Sequence, residues 1–197
     1  DSVKLLKFRS KAMQESMPLG TGGMIALIGC AEEDIENVML NAEQYGKIFI
    51  ANDNSIGQIV ISGDTNSIEL FSTILKKKNI RYVNLPVSAP FHCPLMKKAT
   101  ENMKDKIYLT DFVRPVVEII SNVTANPVSN PDDIKKLLVQ QIEKTVRWRE
   151  SINNMINTGV NHFIEIGPGK VLSGLVKRID RNVKINQVNS LNEINNL

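Results

Sequence analysis

His92 is one of two histidines in the chain, and its neighbours restrict it. It lies in Ser88-Ala89-Pro90-Phe91-His92-Cys93-Pro94, where Pro90 and Pro94 limit the backbone of the residues beside them. An imidazole changes charge near neutral pH, so one held on a stiff loop after a strand is placed to take up and return protons. A loop histidine that only hydrogen-bonds locally or faces water fits the same residues. The other, His162, precedes a predicted strand and reads as structural.

Arg9 is the second candidate. It lies four residues after Leu5 and four before Met13, inside the apolar stripe of a predicted helix. A guanidinium there is costly to bury unless an anion meets it, and its planar fork suits a carboxylate. An internal ion pair with Asp or Glu, or a stem that snorkels to water, fits equally. Gly167-Pro168-Gly169 is weaker: it ends a strand and opens a helix, where backbone N–H groups can receive anions. It lacks the spacing and the Lys-Ser/Thr pair of a phosphate loop, and a plain tight turn explains it.

The elements that must position these residues follow from periodicity. A helix is predicted over residues 3–17 and ends at Pro18-Leu19-Gly20. Strands at 24–28, 47–51, 58–62 and 81–87 alternate with helices at 32–42 and from Gly63-Asp64-Thr65 to about Lys78, with Asn52 to Gly57 turn-rich. That β-α-β-β-α-β order is the split arrangement of ferredoxin-like folds. Beyond the His92 loop, helices are predicted at 95–107, 132–144, 146–157 and 170–179, and strands at 116–120, 161–166 and 183–188. Their alternation predicts a parallel α/β layer. The expected organisation is an incomplete large subdomain over 1–21 and 88–197, with a small ferredoxin-like subdomain inserted over 22–87.

The 197 residues, 42% of them apolar, exclude a disordered or fibrous chain. No apolar run approaches a membrane span. A net charge of +3 is too mild to argue for nucleic acid. Cys30 and Cys93 form neither a metal spacing nor a disulfide framework, and a reducing cytoplasm fits. The start, Asp1-Ser2-Val3-Lys4, reads like the middle of a protein rather than a signal peptide or an ordinary initiator.

Several short motifs, in shared order and spacing, resemble the malonyl-CoA:acyl carrier protein transacylases of bacterial fatty acid synthesis. They are Arg9-Ser10-Lys11-Ala12-Met13-Gln14, Gly20-Thr21-Gly22-Gly23-Met24, Asn52 to Gly63, Val87 to Met96, Ser121-Asn122-Val123, Val139-Gln140-Gln141, Val146-Arg147-Trp148 and Glu165 to Leu172. The resemblance implies an α/β fold: a partial α/β-hydrolase-like acyltransferase domain with an inserted ferredoxin-like subdomain. It implies that His92 is the catalytic histidine, that the Gln141 backbone carbonyl orients it, and that Arg9 grips the free carboxylate of a malonyl group. Asn52 to Gln58 matches a stretch near the acyl-thioester entrance, with Asn54 and Gln58 as substrate-binding candidates. Phe91 beside His92 would narrow the pocket against a methyl branch, a discrimination of about 1–3 kcal/mol.

The resemblance also implies malonyl-CoA as substrate and acyl carrier protein as partner. No metal or redox cofactor is implied, and CoA enters as part of the substrate. Lys177 and Arg178, with Lys97 and Lys98, are candidates for docking an acidic carrier protein; ordinary surface charge explains them equally. The family's nucleophile sits in a Gly-His-Ser-Leu-Gly elbow, and no Gly-x-Ser-x-Gly occurs in this chain. The expectation is that the serine, with a loop of the oxyanion hole, belongs to an upstream piece of about one hundred residues, and that this chain alone is inactive. Two rivals stand beside the malonyl-transferase reading: a polyketide-synthase acyltransferase domain, and a non-catalytic split fragment that binds carrier protein.

Overall fold

The computed structural model describes residues 1–40 and 42–194. Its elements in chain order are α1 (Ser2–Gln14), β1 (Gly22–Ile28), α2 (Glu32–Met39), β2 (Ile48–Ser55), β3 (Gln58–Asp64), α3 (Thr65–Lys77), β4 (Tyr82–Asn84), α4 (Lys97–Tyr108), β5 (Ile119–Ile120), β6 (Pro127–Val128), α5 (Pro131–Gln140), β7 (Val146–Arg147), α6 (Trp148–Asn157), β8 (His162–Ile166), α7 (Val171–Ile179), β9 (Lys184–Val188) and α8 (Leu191–Ile194). Short 3-10 turns occupy Ala42–Tyr45 and Pro94–Met96.

β1 and β3 are nearly continuous apolar runs because both of their faces are covered. Ile25, Leu27, Ile59 and Ile61 point towards α2 and α3, where they pack with Ile35, Val38, Ile68, Phe71 and Leu75. Met24, Ala26, Ala51 and Val60 point the other way, against Leu85, Val87 and Phe91. The strands pair in the order β4-β1-β3-β2, antiparallel throughout, as a ferredoxin-like unit requires. α3 starts where predicted: the Asp64 carboxylate accepts from the Ser67 amide at 2.9 Å and the Ser67 hydroxyl at 2.9 Å. Asp64→Ala should lower the free energy of unfolding by about 1 kcal/mol, read from denaturant midpoints; an unchanged midpoint would remove the cap from this account.

The structure corrects four details. Asn52 to Ser55 is strand rather than turn: β2 carries register shifts between Ile50 and Asn52 and between Asp53 and Ser55, and these bulges absorb the polar sequence. Only Ile56-Gly57 turns, with Gly57 at φ +72°. β4 stops at Asn84, with one further bond from the Leu85 amide to the Met24 carbonyl, because Pro86 has no N–H. Of the strand expected over 116–120, only Ile119–Ile120 is paired, antiparallel to β6. Val146-Arg147 is not helical; it pairs parallel with Asn52-Asp53. The small sheet therefore receives a fifth strand from outside residues 22–87.

Past that strand, β8 and β9 form a parallel pair with α7 between them in sequence. α1 and α4 pack together over Ala12, Met13, Ala99, Met103 and Ile107, and this cluster extends to Ala89, Met96 and Ile142 around the His92 loop. Among the described residues, no helix is long and apolar enough to cross a membrane.

Candidate active site

The loop between β4 and α4 holds His92 in a backbone conformation that few side chains adopt. Its φ is +58°, in the left-handed region, at a cost of about 1–2 kcal/mol. The loop is tied on several sides. The Cys93 thiol donates to the Pro90 carbonyl at 3.0 Å, the Phe91 amide to the Ala89 carbonyl at 3.1 Å, and the Gln14 side-chain amide to the Ser88 hydroxyl. Burial pushes the Cys93 thiol up to about 11, so it stays protonated and serves as a donor.

The ring is half-buried, and its Nδ1 lies 2.9 Å from the Gln141 carbonyl oxygen in the turn after α5. A carbonyl only accepts, so Nδ1 carries the proton and Nε2 keeps the free lone pair. The Gln141 carboxamide points elsewhere, donating to the Lys144 carbonyl at 3.4 Å. Burial holds the His92 pKa below its ordinary value; the Gln141 bond raises it in part, and the Arg9 charge lowers it further.

Arg9 is thus within electrostatic range of the ring, although no hydrogen bond joins the two and His92 does not line the cavity that Arg9 faces. α1 brings it there by packing Ala12 and Met13 against Ala89 and Met96 of the His92 loop. The guanidinium is half-buried and its pKa is lowered by that burial. It lines a cavity of about 250 Å³ with Leu5, Leu6, Met103, Ile107 and Phe112. Among the described residues no carboxylate pairs with it. A cation facing an apolar cavity without a counter-ion suits a small anion whose remaining atoms are uncharged.

Phe91 packs between the two apolar clusters that meet at this loop. Asn54 lies on β2 and Gln58 opens β3. No hydrogen bond joins either to His92 or Arg9; instead the Gln58 side-chain oxygen accepts from Arg178 of α7. Lys177, Lys97 and Lys98 are exposed. His162 is occupied structurally, with Nε2 2.8 Å from Asn186 Oδ1 across the β8–β9 pair. The start of α7 beyond Gly167-Pro168-Gly169 already holds an anion of its own: the Glu165 carboxylate accepts from the Leu172 and Ser173 amides at 3.1 and 2.7 Å.

Sequence reasoning missed two tertiary contacts, one of them at the His92 loop. Arg149 Nε donates to Asp53 Oδ2 at 3.0 Å and its NH1 to Glu32, which joins α6 to β2 and α2. Ser62 donates to the carbonyl of Phe91. Neither has a local signal, because the partners lie 29, 96 and 117 residues apart in the chain.

The acyl transferase domain family matches residues 1–191. The chain belongs to the acyl transferase family. This acyl transferase chain is 42% identical over 186 residues to the malonyl CoA-acyl carrier protein transacylase of Bacillus subtilis, covering 93% of itself and 59% of that protein. It is 39% identical over 180 residues to the Escherichia coli K12 protein of the same name, covering 91% of itself and 58% of that protein. Among solved structures, the acyl-carrier-protein-S-malonyltransferase of Bartonella henselae superposes with a TM-score of 0.93 at 43% identity, over 99% of this chain and 62% of that one. A malonyl-transacylase solved with a type II PKS acyl-carrier protein superposes with a TM-score of 0.91 at 34% identity, over 98% of this chain and 62% of that one. The acyl transferase chain thus spans about three-fifths of the length of these relatives.

Proposed function

We propose that this chain carries the base and the carboxylate grip of a malonyl transfer from CoA to the thiol of an acyl carrier protein in fatty acid synthesis. The observation that carries the reading is an imidazole pinned through Nδ1 to the Gln141 carbonyl, within electrostatic range of an arginine with no counter-ion among the described residues. The nucleophile is a serine outside these 197 residues, since no Gly-x-Ser-x-Gly occurs among them. Exposed apolar side chains, Leu6, Val116, Val117, Ile166, Val171 and Leu172 among them, support a further layer of structure packing on this chain.

In the first half-reaction, His92 Nε2 takes the serine proton as the serine oxygen attacks the malonyl thioester carbonyl. The carbon–sulfur bond breaks, the CoA thiolate leaves, and the imidazolium returns the proton to that sulfur. In the second half, Nε2 takes the proton of the carrier thiol, the thiolate attacks the serine ester, and the proton goes back to the serine oxygen. Arg9 holds the malonyl carboxylate throughout by two parallel hydrogen bonds, which acetyl groups cannot supply. Phe91 bounds the acyl pocket. Asn54, on β2, lies by the thioester entrance, and Gln58 acts there through its contact with Arg178. Exposed Lys177 and Arg178, with Lys97 and Lys98, face the acidic carrier. The similarity to a transacylase solved with a type II PKS carrier favours a second reading, in which the carrier belongs to polyketide synthesis.

The test is transfer from malonyl-CoA to fatty-acid and polyketide carrier proteins. It compares this chain alone with the chain joined to the serine-bearing segment of the Bacillus subtilis relative. Transfer and a malonyl-serine ester are expected only in the joined protein. Transfer by the chain alone would overturn the account of the nucleophile. A folded joined protein that transfers to neither carrier would overturn the function.

A further inference from the structure

We propose that Ser62 is a positioning residue for the His92 imidazole. β3 alternates its faces, so Ile59 and Ile61 go to the helices while Val60 and Ser62 go to the side where Phe91 packs. Ser62 is fully buried at 0% exposure, and a hydroxyl on such an apolar face is costly unless bonded. Its Oγ donates to the Phe91 carbonyl at 2.6 Å. That carbonyl belongs to the peptide unit joining Phe91 to His92. Fixing it fixes the plane from which the left-handed φ of His92 departs.

A second contact from the same sheet restrains the residue before. Gly22 of β1 lies so close to Pro90 that a Cβ there would sit 2.3 Å from Pro90 Cδ. The sheet thus holds Pro90 and Phe91 in succession, while Gln141, from the turn after α5, holds the ring. A left-handed non-glycine residue persists only where its surroundings over-determine it. With the Ser62 hydroxyl removed, the Phe91 carbonyl loses its donor, the peptide relaxes, and the ring no longer meets the Gln141 carbonyl squarely. The small sheet therefore sets which nitrogen of His92 is the base. The importance of that nitrogen rests on the malonyl-transfer reading; its position does not.

Imidazole ¹⁵N NMR of the full chain, at a pH where both histidines are neutral, tests this directly. The wild type should show His92 mainly as the Nδ1–H tautomer. In Ser62→Ala the Nε2–H tautomer, preferred by free imidazole in water, should rise severalfold, and Ser62→Thr, which restores a hydroxyl, should return it towards wild type. His162, bonded to Asn186, is the internal reference and should be unchanged in a folded variant. Unaltered His92 tautomers in Ser62→Ala would overturn the proposal, as would equal disturbance of His92 and His162. No activity enters this readout, so failure of the transfer assay and failure of the Ser62 proposal are separate results.

Discussion

His92→Ala should reduce malonyl transfer by about 10²- to 10⁴-fold in the chain joined to the serine-bearing segment of the Bacillus subtilis relative, with little change in KM for malonyl-CoA. On the proposed malonyl-transfer reading, the substitution deprives both half-reactions of their proton carrier but leaves the carboxylate grip in place. Gln141→Ala should be nearly silent in the same assay, because the bond to the ring comes from the backbone carbonyl. A large loss in Gln141→Ala, or full activity in His92→Ala, would contradict the geometry.

The pH dependence follows with a definite sign. If His92 is the base, as proposed, it must be neutral, and burial places its pKa below the ordinary value of 6.5. The rate should therefore hold through neutral pH and fall only at more acidic pH, as Nε2 protonates. Stability follows the same direction. The unfolded imidazole binds protons more readily than the folded one, so the stability His92 contributes is present above the unfolded pKa and lost as pH falls through the folded value.

The parts of this fold that were legible in sequence are those decided locally. Proline chemistry marked the His92 loop as stiff, Asp64 announced the start of α3, and short continuous apolar runs located β1 and β3. Arg9 was conspicuous because a cation inside an apolar stripe demands an explanation. What stayed illegible is long-range. The bulges of β2 look like turn residues because Asn, Asp and Ser serve both purposes. Val146-Arg147 extends the small sheet only because β2, almost one hundred residues earlier, offers an edge, and Thr145 confirms that meeting by donating to the Ile50 carbonyl at 2.7 Å. Arg149 bridges Glu32 and Asp53 for the same reason. Lys177 and Arg178 look equivalent in sequence, yet the structure engages Arg178 with Gln58.

Arg9→Ala should lower kcat/KM for malonyl transfer by about 10- to 100-fold, the worth of a charge-assisted pair at about 1.5–3 kcal/mol. Acetyl transfer, which presents no carboxylate, should be unchanged or should rise as the cavity loses its uncompensated cation. Arg9→Lys should recover only part of the malonyl rate, since a point charge cannot reproduce the planar fork. The same substitution to alanine carries a second signature that an unrelated loss of packing would not. The Arg9 charge helps hold the His92 pKa down, so its removal should move the acid limb of the rate profile to higher pH, while Arg9→Lys leaves that limb nearer to wild type. Equal losses for malonyl and acetyl donors, or an acid limb indifferent to the charge at position 9, would show that the guanidinium and the imidazole do not serve one pocket. The joint outcome, lost malonyl preference with a raised acid limb, follows only if one cation both grips the substrate and tunes the base.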